Sequence, residues 1–233
     1  MRNAIELVDG LVVTTDNSGG IGEKPHDLVA VPDQVTAHFA ARVALLEQWA
    51  AHADPIAVLI HNFSGDESWG AYVAGVEEVF KESNLETPKI SGSTETNMQL
   101  MQSAVAVTMI GRKREILCET DCAYFVYGLP LVGDAVTERS GEIASLTLIK
   151  EAMDHGIIHR IWPVGSRGIL EEFRKLTGNP EIEIQVDVDV ELSAGPATSV
   201  MVSIPVDKIE QAQRHFQGKL HEIILGNGGS CVE

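Results

Sequence analysis

The sequence predicts a two-domain chain of mixed α and β structure, an α/β half over residues 1–113 and a compact α+β half over 114–233. Short apolar runs of strand length alternate with segments of helical periodicity along the whole chain. The basic cluster Gly111-Arg112-Lys113-Arg114 marks the exit from the first half. The length of 233 residues also exceeds the usual single-domain mode. Each half is expected to form a sheet with helices on one side.

Ile5 to Val13 reads as one short strand or two, with Asp9-Gly10 as a hairpin turn before the strand that delivers Asp16. Asn17-Ser18-Gly19-Gly20 is where that strand is expected to stop. Pro32-Asp33 is a helix start, and Val35, Phe39, Val43, Leu46 and Ala50 recur at helical spacing as far as His52. Pro55 to Ile60 is a continuous apolar run of interior-strand type. A second helix is expected over Ser68 to Ser83, with Tyr72, Val73, Val76, Val79 and Phe80 on its apolar face. Ile90 to Asn97 reads as a loop, and Ala104 to Ile110 as a strand.

In the second half, strands are expected at Ala123–Val126, Ile157–Val164, Glu183–Leu192 and Ser199–Ile204. Helices are expected over Ile143–His155, Ser166–Leu176 and Val206–Leu220. Over 183–192 acids and amide alternate strictly with aliphatic residues, which means one wet and one buried face. The acidic row is better explained as a solvated strand face than as a cation site. Gly226-Asn227-Gly228-Gly229 reads as a mobile tail.

The stretch Leu11 to Asp27 carries the densest chemistry, an apolar strand ending in Asp16, then Gly19, Gly20 and Gly22, then Lys24. Glycines let backbone amides approach an anion closely, and carboxylate and ammonium groups bracket the loop. A metal-bridged polyphosphate needs both signs. An acidic surface turn is the other reading, and the spacing matches neither the Walker nor the dinucleotide fingerprint. Glu47, near the end of its helix, opposes the helix dipole, so either a neighbouring cation or ordinary solvation accounts for it. The small polar residues of 90–97, with Gly92, Thr94 and Glu95, suit either a ligand-wrapping loop or a plain surface loop.

Seventeen basic residues against 34 acidic ones give a formal charge of −17. That balance argues against nucleic acid and against an anionic membrane surface as partners. No stretch reaches the roughly 18 apolar residues of a membrane span, and the N-terminus lacks a signal-peptide apolar region, so a cytoplasmic protein is expected. The three cysteines, Cys118, Cys122 and Cys231, lack zinc-finger spacing and read as reduced thiols.

The acidic loops together carry a resemblance. A TTD at a strand end followed by a Gly-rich segment and lysine is similar to the start of aminoimidazole ribonucleotide synthetase and its relatives thiamin-monophosphate kinase and selenophosphate synthetase. Glu47 precedes His52-Ala53-Asp54-Pro55 as the superfamily's helix acid precedes its own turn. Gly92-Ser93-Thr94-Glu95-Thr96 before the strand ending Ile110-Gly111 resembles a further family loop, and Gly195 to Pro205 resembles the second domain's final strand. Within the superfamily, DNSGGIGEKPHD, FAARVALLE and GSTETN look closest to the α-ribazole kinase branch of cobalamin biosynthesis. Glutamates stand at 47 and 95 where many relatives carry aspartate or a shifted acid.

The resemblance implies a homodimer whose N-terminal half-barrel sheets join into a barrel, with ATP, Mg²⁺ and a small-molecule acceptor as ligands. It places metal at Asp16, Glu47 and Glu95, nucleotide at Gly19, Gly20, Gly22, Lys24, Gly92 and Thr94, and catalysis at Asp16 and Lys24. Carboxylate oxygens suit Mg²⁺, which is best held by few carboxylates plus phosphate oxygens. Asp27 and Asp66 are reserve candidates for metal or acceptor, and His26 and His61 read as ordinary polar neighbours. The implied reaction is phosphorylation of a nucleoside-like hydroxyl, α-ribazole foremost. The alternatives are an ATP-dependent synthetase and a non-catalytic nucleotide sensor.

Overall fold

The computed structural model describes residues 3–114 and 121–226. They belong to two compact units, one up to residue 115 and one from residue 116. Cys118, Cys231 and the terminal residues 227–229 expected to form a tail lie outside the described residues.

In the first unit a five-stranded sheet contains β1 (Ile5–Glu6), β2 (Leu11–Gly19), β5 (Ala53–Asn62), β6 (Lys89–Thr94) and β7 (Ala104–Lys113). Its order is β1-β2-β7-β5-β6, antiparallel except for the parallel edge pair β5/β6. A short parallel pair, β3 (Ile21–Gly22) and β4 (Val29–Ala30), shapes the glycine-rich segment. Two helices, α1 (Asp33–Ala50) and α2 (Trp69–Glu82), follow the expected bounds closely. Their apolar periodicity is local and needs no distant partner to be read.

The α1 helix is fastened to the sheet through a polar side chain. Gln48 is fully buried, and its Nε2 donates to the carbonyls of Val12 and Met109 at 3.1 and 3.0 Å and to Thr14 Oγ1 at 3.1 Å. Thr14 Oγ1 in turn donates to the Ala44 carbonyl at 2.8 Å. A buried amide left without such partners would be costly, so this network fixes the position of α1 on β2 and β7. Gly111 makes room for it, because a Cβ there would stand 2.0 Å from Gln48 Oε1.

Residues Val12 and Thr14 face this core, while Val13, Thr15 and Asn17 project from the opposite face of β2 and are half-buried or exposed. On β7 and β5 the same face carries Thr108, Ile110, Leu59 and His61. Thr15 Oγ1 and Thr108 Oγ1 are 3.1 Å apart, and His61 Nε2 is 3.2 Å from Thr108 Oγ1.

Two expectations for this unit are corrected. β2 stops at Gly19, within the expected 17–20, and β7 carries the ladder as far as Gly19↔Ala104. Asp16 is therefore a mid-strand residue opposite Val107 and not a loop residue. Lys89–Thr94 is an edge strand because β5 offers its open edge, and only the residues after Thr94 turn away. The basic cluster begins inside a strand, where Arg112 and Lys113 extend β7, with Lys113 Nζ 2.8 Å from Glu6 Oε2.

The second unit holds a four-stranded antiparallel sheet, order β12-β8-β11-β9, from β8 (Cys122–Tyr127), β9 (Arg160–Pro163), β11 (Val200–Pro205) and β12 (Leu220–Glu222). Helices α3 (Ala135–Glu138), α4 (Leu146–Asp154), α5 (Gly168–Thr177) and α6 (Ile209–His215) accompany it, with a small pair β10 (Ile184–Gln185) and β13 (Ile224–Leu225). Val126, Trp162, Phe173 and Met201 form part of its core. Buried Glu172 joins that core by accepting from Trp162 Nε1 at 3.0 Å and from Lys175 Nζ at 2.8 Å.

The expected strand over 183–192 is present only at Ile184–Gln185. Its burial alternation persists, with Val186, Val188 and Val190 packed on the core and the acids outside. Asp189 Oδ1 instead accepts from the amides of Glu191 and Leu192, a local turn that replaces the ladder. The last helix is shorter than the expected 206–220, because left-handed Gln217 and Gly218 end it before β12 begins. Among the described residues, no helix is long and apolar enough to cross a membrane.

Candidate functional site

The segment after β2 is shaped by one carboxylate. Asp27 Oδ2 accepts from the Lys24 amide at 2.8 Å and Oδ1 from the Ser103 amide at 2.7 Å. Burial opposes its ionisation, but hydrogen bonds from Ser103 and Lys24, with the Lys24 charge, outweigh that and lower its pKa. Gln102 Nε2 reaches the His26 carbonyl at 2.7 Å, and Lys24 Nζ the Leu100 carbonyl at 2.8 Å. The glycine-rich segment is thereby tied to the stretch that leads into β7. Gly22 has φ 153°, and a Cβ there would come within 2.5 Å of Ser103 Oγ and 2.6 Å of Asp33 Oδ1. Only glycine fits at that approach.

A second hub closes the ends of β5 and β6. Buried Asn62 donates through Nδ2 to the Gly65 carbonyl at 2.7 Å and to Thr94 Oγ1 at 3.2 Å, and its Oδ1 accepts from the Ser64 amide at 2.8 Å. Ser64 Oγ lies 2.6 Å from the Tyr72 hydroxyl. Burial pushes that phenol up to about 12, so it stays a neutral hydrogen-bonding group. The Glu95 amide donates to the Asn62 carbonyl at 2.8 Å, which sets Glu95 at the turn out of β6.

Between these two hubs lies an open cleft of about 540 Å³, lined by Lys24, His26, Asp66, Glu67, Glu95 and Thr96 together with Met98, Leu100 and Met101. That volume lies within the range of small-molecule sites. Glu95 Oε1 accepts from the amides of Asn97 and Met98 at 2.6 and 3.0 Å, and these bonds lower its pKa. The result is a fixed anionic wall beside one lysine. Carboxylates so placed oppose a bare polyphosphate, and their hard oxygens are of the type that suits a divalent cation.

Of the site residues expected from sequence, the structure brings Lys24 and Glu95 to this cleft, with the reserve residue Asp66. Asp16 is half-buried within β2 and is not among the lining residues, and neither are Gly19, Gly20, Gly22, Gly92 and Thr94. Gly92 has a packing role, since a Cβ there would stand 2.0 Å from the Ile60 carbonyl oxygen. Glu47 does not reach the cleft: it is 1% exposed on α1, and Asn3 Nδ2 donates to its Oε1 at 3.3 Å. Asp27 has both oxygens engaged in holding the loop. Glu67, Asn62 and Ser64 were not singled out from sequence. Asn62 and Ser64 stand where the apolar run of β5 gives way to polar residues, which was the available signal.

No family model matches the sequence, and the search of curated proteins finds no match. Solved structures do match in fold. Thiamine monophosphate kinase from Aquifex aeolicus superposes with a TM-score of 0.66 at 11% identity, over 97% of this chain and 88% of that one. The hydrogenase maturation protein HypE from E. coli gives 0.61 at 11%, over 93% and 79% of the two chains. PurL from T. maritima gives 0.57 at 12%, over 95% of this chain and 42% of that one. The chain therefore has the mixed α/β fold of the aminoimidazole ribonucleotide synthetase-related structures, shared with thiamine monophosphate kinase and HypE.

Proposed function

We propose that the chain is an ATP-dependent phosphotransferase acting on a small nucleoside-like hydroxyl, with α-ribazole as the first candidate. The observation that carries the nucleotide part is the shared cleft of Lys24, Asp66, Glu67 and Glu95 beside the glycine-rich segment. Support also comes from proteins of the same fold: HypE has been crystallised with ATP, thiamine monophosphate kinase with AMPPCP and TMP, and PurL with ATP. The choice of α-ribazole rests on the motif wording around 16–27, 39–47 and 92–97.

The residues fit Mg²⁺, because the available donors are hard carboxylate oxygens on an exposed wall. Glu95 and Asp66 would hold the ion, which when bound neutralises phosphate charge. Lys24 would orient a terminal phosphate, its ammonium exchanging the Leu100 carbonyl for a phosphate oxygen. In phosphoryl transfer most of the catalysis is positioning and electrostatic stabilisation, so a dedicated protein base is not required.

Thermal unfolding with ATP, with and without Mg²⁺, is expected to show a rise in Tm only when both are present. Absence of any shift overturns the nucleotide reading. Incubation with Mg²⁺-ATP and a panel of α-ribazole, thiamin monophosphate, selenide and formylglycinamidine ribonucleotide, read by mass, is expected to give phosphorylated α-ribazole. Phosphate release with ring closure moves the protein to the synthetase reading, and binding without turnover to a sensor.

The same reading includes a homodimer in which the N-terminal sheets of two chains join into a barrel and so pair their edge strands. Light scattering at micromolar concentration is expected to give twice the 25.2 kDa of one chain. A monomer under those conditions counts against this arrangement.

A further inference from the structure

The two helices of the first unit carry a second cluster, separate from the cleft. They approach closely at Gly75 of α2, where a Cβ would stand 2.2 Å from the Gln34 carbonyl oxygen and 2.8 Å from the His38 nitrogen. Just beyond that contact, Glu78 and Glu82 lie four residues apart on one face of α2 and meet His38 of α1. His38 Nδ1 is 3.9 Å from Glu78 Oε2, and Nε2 is 3.7 Å from Glu82 Oε2. One donor atom from each residue lies within 4.8 Å of the others.

These separations are too long for hydrogen bonds. They are also not an ion pair at neutral pH, because burial first, and then the charge of Arg42, hold the imidazole at about 4 against the opposing pull of Glu78. His38 Nδ1 is buried and has no hydrogen-bond partner. The imidazole side chain is 13% exposed, while Glu78 and Glu82 are 46% and 44% exposed. Each ring nitrogen of His38 faces one carboxylate of α2. Gln34 Nε2 donates to Glu78 Oε2 at 3.1 Å, and burial, with the Glu78 charge, raises the pKa of Glu82 against the opposing charge of buried Arg42.

We propose that His38, Glu78 and Glu82 form a transition-metal site that clips α1 to α2. Metal–ligand bonds of roughly 2.0–2.2 Å in tetrahedral geometry set donors roughly 3.3–3.6 Å apart, so donors now within 4.8 Å of one another close by at most about 1.5 Å. One imidazole with two carboxylates suits Zn²⁺ or a neighbouring divalent transition ion. Mg²⁺ and Ca²⁺ prefer all-oxygen shells. The fourth position falls to water, and the ion adds a cross-link between α1 and α2 beside the Gln34–Glu78 hydrogen bond.

The test uses the full chain, stripped of metal and without nucleotide, titrated with Zn²⁺ against a chromophoric chelator. One equivalent is expected to bind at micromolar concentration or tighter and to raise the Tm, and Co²⁺ in its place is expected to give the visible absorption of a tetrahedral site. Glu78→Gln and His38→Gln are each expected to weaken that equivalent on the order of 10- to 100-fold. Glu78 is a surface side chain, so its variant retains the fold even where His38→Gln does not. Equal stoichiometry and affinity in wild type and Glu78→Gln, or wild-type binding only at millimolar Zn²⁺, overturns the site.

Discussion

Replacing Gly75 by valine is expected to destabilise the first unit by about 3 kcal/mol, the upper part of the range for overpacking a close contact. The residue is buried in the middle of α2, and the atoms a Cβ would meet are the backbone oxygen of Gln34 and the backbone nitrogen of His38. Neither can swing aside as the end of a flexible side chain would, so the helices must separate. Valine regains only a few tenths of a kcal/mol over glycine in helix propensity, far too little to offset that shift. The control is Gly70 on the same helix, which is exposed and has nothing within 4 Å of its Cβ position. Gly70→Ala is expected to be neutral or stabilising by up to about 1 kcal/mol. Chemical denaturation of both variants reads the contrast. A Gly75→Val protein as stable as the parent would show that the two helices can part freely.

That contact also shows where the sequence was readable and where it was not. Both helices could be read to within two residues of their ends, because apolar side chains at 3.6-residue spacing are a local signal. The glycines inside them carry no such signal. Gly75, Gly92 and Gly111 look alike in sequence, yet they accommodate a neighbouring helix, a parallel strand and the Gln48 amide. Residues 183–192 show the converse: their alternation correctly separated wet from buried side chains, but a ladder needs a partner strand and only Ile184–Gln185 has one.

The same distinction applies to the candidate site. Lys24 and Glu95 are more than 70 residues apart in the chain and share a cleft because Asp27 anchors the glycine-rich segment to Ser103 and Asn62 anchors Thr94. Charge, glycine content and loop position made both residues candidates, but their proximity is a property of strand order. Glu47 illustrates the opposite case. Its place near a helix end is visible in sequence, whereas its burial and its hydrogen bond from Asn3 are set by tertiary packing. Helix position alone does not reveal which carboxylates face solvent.

Glu95→Gln is expected to lower the affinity for ATP by at least on the order of 10- to 100-fold when Mg²⁺ is present, since that is the loss for changing even a group that only orients a metal ligand. Glutamine keeps an oxygen that accepts from the Asn97 and Met98 amides, so the turn out of β6 persists and the change is confined to charge. Those amides lower the pKa of the native carboxylate, which is therefore ionised at neutral pH and able to bind a cation. Without Mg²⁺ the sign reverses: removing a negative charge beside the phosphates leaves binding of bare ATP unchanged or stronger. Calorimetry of wild type and Glu95→Gln, each with Mg²⁺ and with EDTA, separates the two effects. Lowering the pH through the depressed pKa of Glu95 is expected to reproduce the loss in wild type and to leave the glutamine variant nearly flat. An equal loss with and without Mg²⁺ would instead assign Glu95 a purely structural role, and no loss in either condition would remove it from the site.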